Sequence, residues 1–246
     1  MSCQILVLPG DGIGPEITPH TLNVLQAADK ALGLDLTFET HDIGLKSLAE
    51  QGTTLSDATM TRIPEVDGVI LGPVSHYDYP PRSQGGINPS AELRTKFELF
   101  ANIRPCRSRE GLTVLREPMD LVIVTTNMFG DILSDEASEL TGSLGLGGAI
   151  NASDTICVAQ AQHGSAPDIA GQNVANPTSL ILSVAVLLDW IGQRRNDTAF
   201  IQGGQLITRT IDPVLDNPAT RTRDIGGTLG TDEFTAAVLA AMDDIG

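Results

Sequence analysis

Two aspartates four residues apart, Asp131 and Asp135, lie in the run Asn127-Met128-Phe129-Gly130-Asp131-Ile132-Leu133-Ser134-Asp135. Four-residue spacing puts both carboxylates on one face of a helix. Two oxygen ligands on one face suit a hard divalent cation, Mg2+ or Mn2+. The same spacing also describes acids held at a helix N-terminus by the dipole. Arg94 and Arg104 flank the run Phe100-Ala101-Asn102-Ile103. Converging guanidinium groups clamp carboxylates in a bidentate way. Their plainer role is ordinary surface ion pairing.

A third run, His163-Gly164-Ser165-Ala166-Pro167-Asp168, continues through Gly171 to Asn176-Pro177-Thr178. Small residues before a helix let backbone N–H groups approach a phosphate or nucleotide. Asp168 in such a loop suits a pair of ribose hydroxyls and repels a 2′-phosphate, which favours NAD over NADP. A solvated loop capped by Asn176 is the alternative. Gly10-Asp11-Gly12-Ile13-Gly14-Pro15-Glu16 is a tight turn. Its third glycine comes too early for the dinucleotide fingerprint of a Rossmann unit.

These groups need elements to hold them. The apolar stretch 4–8 reads as a buried strand, and the pattern 16–32 as a helix with Pro15 near its start. Strands follow at 35–40 and 66–71, with helical patterns at 45–51 and 57–63 between them. That order predicts an α/β fold with a mostly parallel sheet. Residues 74–89, rich in Pro and Gly, form a long loop. Ser90 caps a helix running to Phe100. A buried strand is expected at 119–124, a helix at 131–140 and a short strand at 156–159. Longer helices are expected at 176–194 and 198–215, and a last one from Thr231.

The chain has 246 residues and a net charge of -16, with 31 acidic against 15 basic side chains. Such a surface repels phosphate backbones and argues against nucleic-acid binding. Cys3, Cys106 and Cys157 are few, odd in number and far apart, so neither a disulfide framework nor a zinc site is indicated and a reduced cytoplasm fits. No basic region precedes the first apolar run, which argues against a signal peptide. The longest apolar stretch, 180–191, is too short to span a bilayer.

Taken together, the four runs resemble the isocitrate/isopropylmalate dehydrogenase family, nearer its NAD-using isopropylmalate-like branch. The resemblance covers nearly the whole chain. It implies an isopropylmalate dehydrogenase-like fold, with a main domain of residues 1–105 plus 148–246. A much reduced second domain would occupy 106–147. It implies that Arg94 and Arg104 hold the carboxylates of a small hydroxy-acid substrate, and that Asp131 and Asp135 bind the metal. Ile13, His163, Gly164, Ser165, Ala166, Asp168 and Asn176 would hold NAD. The implied reaction oxidises a malate-type 2-hydroxy acid at C2 and releases CO2 from the product, in a homodimer.

The departures from the family carry equal weight. The family places a third substrate arginine and a tyrosine acid after a strand like 121–124. A catalytic lysine in a His-Lys-x-Asn segment and a third metal aspartate follow. Here the tyrosines are Tyr77 and Tyr79, and the lysines are Lys30, Lys46 and Lys96, none in that context. The resemblance thus implies an internal deletion near Val124–Thr125, removing the catalytic groups and the dimer arm, and an impaired enzyme. Gln160 stands where the family has an acid near the ribose. Residues 87–92 lack the leucine-rich wall expected for isopropylmalate and offer Asn88 and Ser90, so another malate-type substrate is equally open. A non-catalytic NAD-binding subunit is the rival reading. A purely structural protein leaves the clustering of these runs without a cause.

Overall fold

The computed structural model describes residues 2–106, 123–140 and 146–245, with backbone alone at 127, 128, 131, 138 and 140. Six strands form one sheet in the order β2-β1-β3-β6-β5-β4. They are β1 (Cys3–Leu8), β2 (Leu36–Thr40), β3 (Gly68–Leu71), β4 (Ala101–Ile103), β5 (Ile150–Ala152) and β6 (Cys157–Gln160). The pairs β1–β2, β1–β3 and β3–β6 are parallel. β5 runs against both neighbours, so it alone opposes the rest.

The helices are α1 (Gly14–Leu32), α2 (Gly44–Gln51), α3 (Asp57–Arg62) and α4 (Pro89–Lys96), then α5 (Asn127–Leu140), α6 (Thr178–Arg195), α7 (Thr198–Asp216) and α8 (Thr231–Ile245). Strand residues alternate between two cores because successive side chains point to opposite faces. Ile5, Val7, Ile70, Cys157 and Ala159 join the apolar faces of α1, α6, α7 and α8. Leu6, Leu8, Val69, Leu71 and Val158 pack instead on Ile43, Leu55, Ile63 and Leu93. Both faces of the sheet are therefore covered, as a parallel sheet requires.

Local chemistry sets the helix ends. Gly33, at φ 65°, closes α1 and gives its N–H to Asp29 O. Ser56 caps α3 through Thr59 N, and Asp197 caps α7 through Ala199 N. Asn88 caps α4 by accepting from Ala91 N.

Several expected boundaries move. The helix expected to reach Phe100 ends at Lys96, because Glu98 takes a left-handed φ of 49°. The helix expected from Asn176 starts at Thr178, after Pro177. α5 starts at Asn127, four residues ahead of Asp131. β5 was not expected at all. Of the strand expected at 119–124, residues 119–122 lie outside the described residues. Ile123 and Val124 are exposed and outside any strand, so this end of the expectation fails. No helix among the described residues is long and apolar enough to cross a membrane.

Candidate functional site

The parallel strands β1, β3 and β6 end together, with Leu8 paired to Leu71 and Leu71 to Gln160. Ligands of open α/β sheets gather outside such carboxyl ends. The loops leaving these strands, 9–14, 72–88 and 161–177, are the ones whose sequences suggested chemistry. They meet there. Ile13 N donates to Ser165 O at 2.8 Å. A Cβ on Gly12, whose φ is +58°, would lie 1.9 Å from that same carbonyl. Only glycine permits this approach of the two loops.

Asp11 lies buried between them. Its carboxylate accepts from Leu45 N at 2.7 Å, Ser75 N at 2.9 Å and the Tyr79 hydroxyl. Burial first, and that hydrogen bond second, raise the Tyr79 pKa, so its phenol keeps the proton it donates. Ser75 Oγ in turn donates to Ser165 Oγ at 2.8 Å. Glu16, on α1, holds the far end of the same loop. It accepts from Gly171 N at 2.9 Å, Ala175 N at 3.2 Å and Thr231 Oγ1 at 2.7 Å. Burial pushes its pKa up, but the hydrogen bonds from Thr231, Ala175, Gly171 and Asn173 outweigh it and the carboxyl is lowered.

A cleft of about 350 Å³ opens beside these loops, lined by Arg94, Arg104, His76, His163, Gly164 and five amide side chains among others, with no carboxylate among its described residues. That lining is basic and rich in amides, although the chain carries a net charge of -16. The polar groups form a network. Arg94 Nη2 donates to Ser90 Oγ at 3.1 Å, and Ser90 Oγ donates to Gln160 Oε1 at 2.9 Å. Asn102 Nδ2 donates to Asn151 Oδ1 at 2.6 Å, and Arg104 Nε to Asn102 Oδ1 at 2.7 Å. Arg104 Nη1 also donates to Ser134 Oγ at 2.9 Å, which docks α5 beside the clamp.

His163 Nδ1 lies 3.0 Å from Gly164 O. A ring proton there leaves Nε2 as a bare acceptor, and Nε2 is shielded from water with no partner among the described residues. Burial holds this imidazole below the usual histidine range, against the Gly164 carbonyl and Asp224. Such an orphaned acceptor fits a ligand donor. Gly164 has open space where a Cβ would point. The loop residues therefore fit a nucleotide.

The expected residues separate into three groups. Arg94, Arg104, His163 and Gly164 share the cleft. Ile13 and Ser165 are buried and joined by a backbone hydrogen bond, and Ala166 turns the loop at φ 39°. Asp168 is exposed, and Asn176 is engaged with Asp224 Oδ2 at 2.9 Å and Thr178 N at 3.0 Å. Asp135 is exposed on α5, while the side chain of Asp131 lies outside the described residues. Among the described residues no group of three or more His, Cys, Asp or Glu could hold a metal. Sequence reasoning passed over Asp11, Ser75, Tyr79, Asn102 and Asn151. The two asparagines meet through strand register, Asn102↔Asn151, which spacing along the chain does not reveal.

A family model described as isocitrate/isopropylmalate dehydrogenase matches residues 4–120 and again 109–238. An isocitrate/homoisocitrate dehydrogenase of Thermus thermophilus is 28% identical over 349 residues, taking in 100% of each chain. A 3-isopropylmalate dehydrogenase of Methanothermobacter thermautotrophicus is 26% identical over 347 residues, 99% of each. Among solved structures, an isocitrate dehydrogenase from Methylococcus capsulatus superposes with TM-score 0.81 at 22% identity, covering 98% of this chain and 99% of that one. A beta-decarboxylating dehydrogenase from Thermococcus kodakarensis gives 0.79 at 24%, covering 99% and 97%. With the family model matching nearly its whole length, this chain belongs to the isocitrate/isopropylmalate dehydrogenase family.

Proposed function

We propose that this chain binds NAD across the cleft and derives from an enzyme that oxidises and decarboxylates a malate-type 2-hydroxy acid, with turnover now impaired. The observation that carries the first part is the convergence of the 163–166 loop, with its orphaned His163 Nε2, on Gly12 and Ile13 beside Arg94 and Arg104. Asp168 and Asn176 would hold the adenosine half, and the two arginines the substrate carboxylates. Among the described residues the apolar side chains of the cleft are small, such as Val74 and Ala91, beside Asn88, Ser90 and the other amides. This favours a substrate with a small or polar third group over one with a branched alkyl group.

NAD would accept the hydride from C2, and a divalent cation would stabilise the negative charge formed on decarboxylation. Asp131 and Asp135 alone would hold that cation with much of its shell left to water, so Mg2+ or Mn2+ binding is weak.

The impairment rests on the sequence. The relative alignments run to 349 residues where this chain has 246, so they open long gaps in it. The two family matches share residues 109–120. One short segment thus matches two places in the family pattern, which supports an internal deletion in this part of the chain, near Val124–Thr125. The family's tyrosine acid and lysine base have no counterpart here. Each such group contributes about 10²–10⁴ in rate, and a second copy lacks them equally. A second reading, a non-catalytic NAD-binding subunit that regulates an intact relative, draws on the same loss.

Calorimetry with NAD and Mn2+, with Asp168→Ala as control, tests the proposal, alongside turnover of isopropylmalate and isocitrate. NAD binding that the substitution abolishes, without turnover, is the expected result. No binding by a folded sample sinks the nucleotide reading, and turnover near that of an intact relative sinks the impairment. Altered activity of an intact relative on mixing would select the regulatory reading.

A further inference from the structure

Residues 73–88 carry an irregular strap held at both ends. At one end Asp11 accepts from Ser75 N and the Tyr79 hydroxyl, and Ser75 Oγ donates to Ser165 Oγ. At the other, Thr54 Oγ1 accepts from Ile87 N at 2.7 Å, and Arg82 grips Glu92 with both Nη groups at 2.9 and 3.0 Å. A Cβ on Gly86 would lie 1.7 Å from Pro80 O, so the strap is tightly folded on itself. Ordering an irregular loop costs conformational entropy, and six hydrogen bonds offset that cost here.

Between Ser75 and Tyr79 stand His76 and Tyr77. His76 lines the cleft that holds Arg94 and Arg104. Tyr77 is 92% exposed, with its ring centroid 4.0 Å from the imidazole and the planes at 36°. An aromatic ring kept in water on a held backbone is an open stacking face. If the adenosine half lies at His163 and the substrate at the arginines, the reacting ring of the cofactor falls within this same cleft.

We propose that His76 and Tyr77 form a stacking platform for the nicotinamide ring of NAD; the proposal rests on the NAD reading above. The oxidised ring is cationic and electron-poor, and the tyrosine face is electron-rich, so the contact combines ring stacking with cation–π attraction. The platform fixes which face of the ring is turned to the substrate. Tyr77 and His76 are thus positioning residues that touch the cofactor without exchanging protons.

Calorimetric titration of wild type, Tyr77→Ala and Tyr77→Phe with NAD+ and with ADP-ribose tests this. The alanine variant should weaken NAD+ about fivefold and leave ADP-ribose unchanged, while the phenylalanine variant matches wild type. An unchanged thermal midpoint shows that Tyr77→Ala folds, as its exposure predicts. Equal weakening of both ligands, or no weakening of NAD+, overturns the platform. Wild type binding ADP-ribose as tightly as NAD+ overturns it too, while leaving the nucleotide reading standing. Binding of neither ligand overturns both.

Discussion

At the scale of single residues, Glu16 does more than its place in a glycine-rich turn suggests. Its two carboxylate oxygens gather donors from Gly171, Ala175 and Thr231, which lie far from it along the chain. The folded-state pKa falls below the ordinary 4.5. The ionised form therefore stabilises the fold at every pH above that ordinary value, and this contribution disappears as pH drops through the lowered pKa. Glu16→Gln should cost about 1–3 kcal/mol at pH 7. It should also flatten the fall in thermal midpoint below about pH 4.5, as calorimetric scans from pH 3 to 7 would show. A variant that kept the full acid sensitivity would assign that sensitivity elsewhere. His163 is the complementary case, a ring that burial shifts toward its neutral form, with Nε2 shielded and without a partner among the described residues.

At the scale of elements, the loops after β1, β3 and β6 matter more than the strands themselves. Gly12 decides how close two of them come. Gly12→Ala would set a Cβ 1.9 Å from Ser165 O at a φ of +58°, so the 163–166 loop must retreat. A loss of about 1–3 kcal/mol is expected in urea unfolding, with a larger proportional loss of NAD affinity. Unchanged affinity would mean that the approach of the loops is irrelevant to binding. The strands and helices around these loops were largely legible in the sequence, because runs such as 4–8 and 66–71 are apolar and the flanking helices carry a 3.6-residue period. β5 was not legible: three residues with asparagine at the centre carry no pattern. Neither was the Asp11 clamp, whose donors come from α2 and from the strap beyond β3. The Asp131–Asp135 pair was legible as spacing, yet its meaning depends on neighbours supplied by other segments.

At the scale of the molecule, both faces of the sheet are covered, while α5 exposes apolar side chains. Phe129, Ile132 and Leu133 are exposed there, as are Ile123 and Val124 just before it. Near the outer edge of the sheet, Ile103, Leu146, Leu182 and Val186 line an open trough of about 560 Å³. Apolar surface of this kind promotes association. Light scattering of the purified chain should rise with concentration, and Phe129→Asp should lower it without changing the thermal midpoint. Scattering indifferent to the substitution would place the adhesive surface elsewhere.

The pairing of Ile103 with Ile150 has one more consequence. Antiparallel partners stand about 5 Å apart, so the polypeptide departs from the sheet and returns to it at adjoining points. Among the described residues between them, none adds a strand to the sheet. The length of this excursion is then close to a free variable, since lengthening or shortening a closed excursion changes the closure entropy only slowly. A change of length between β4 and β5 is therefore expected to leave the loops after β1, β3 and β6 in their places.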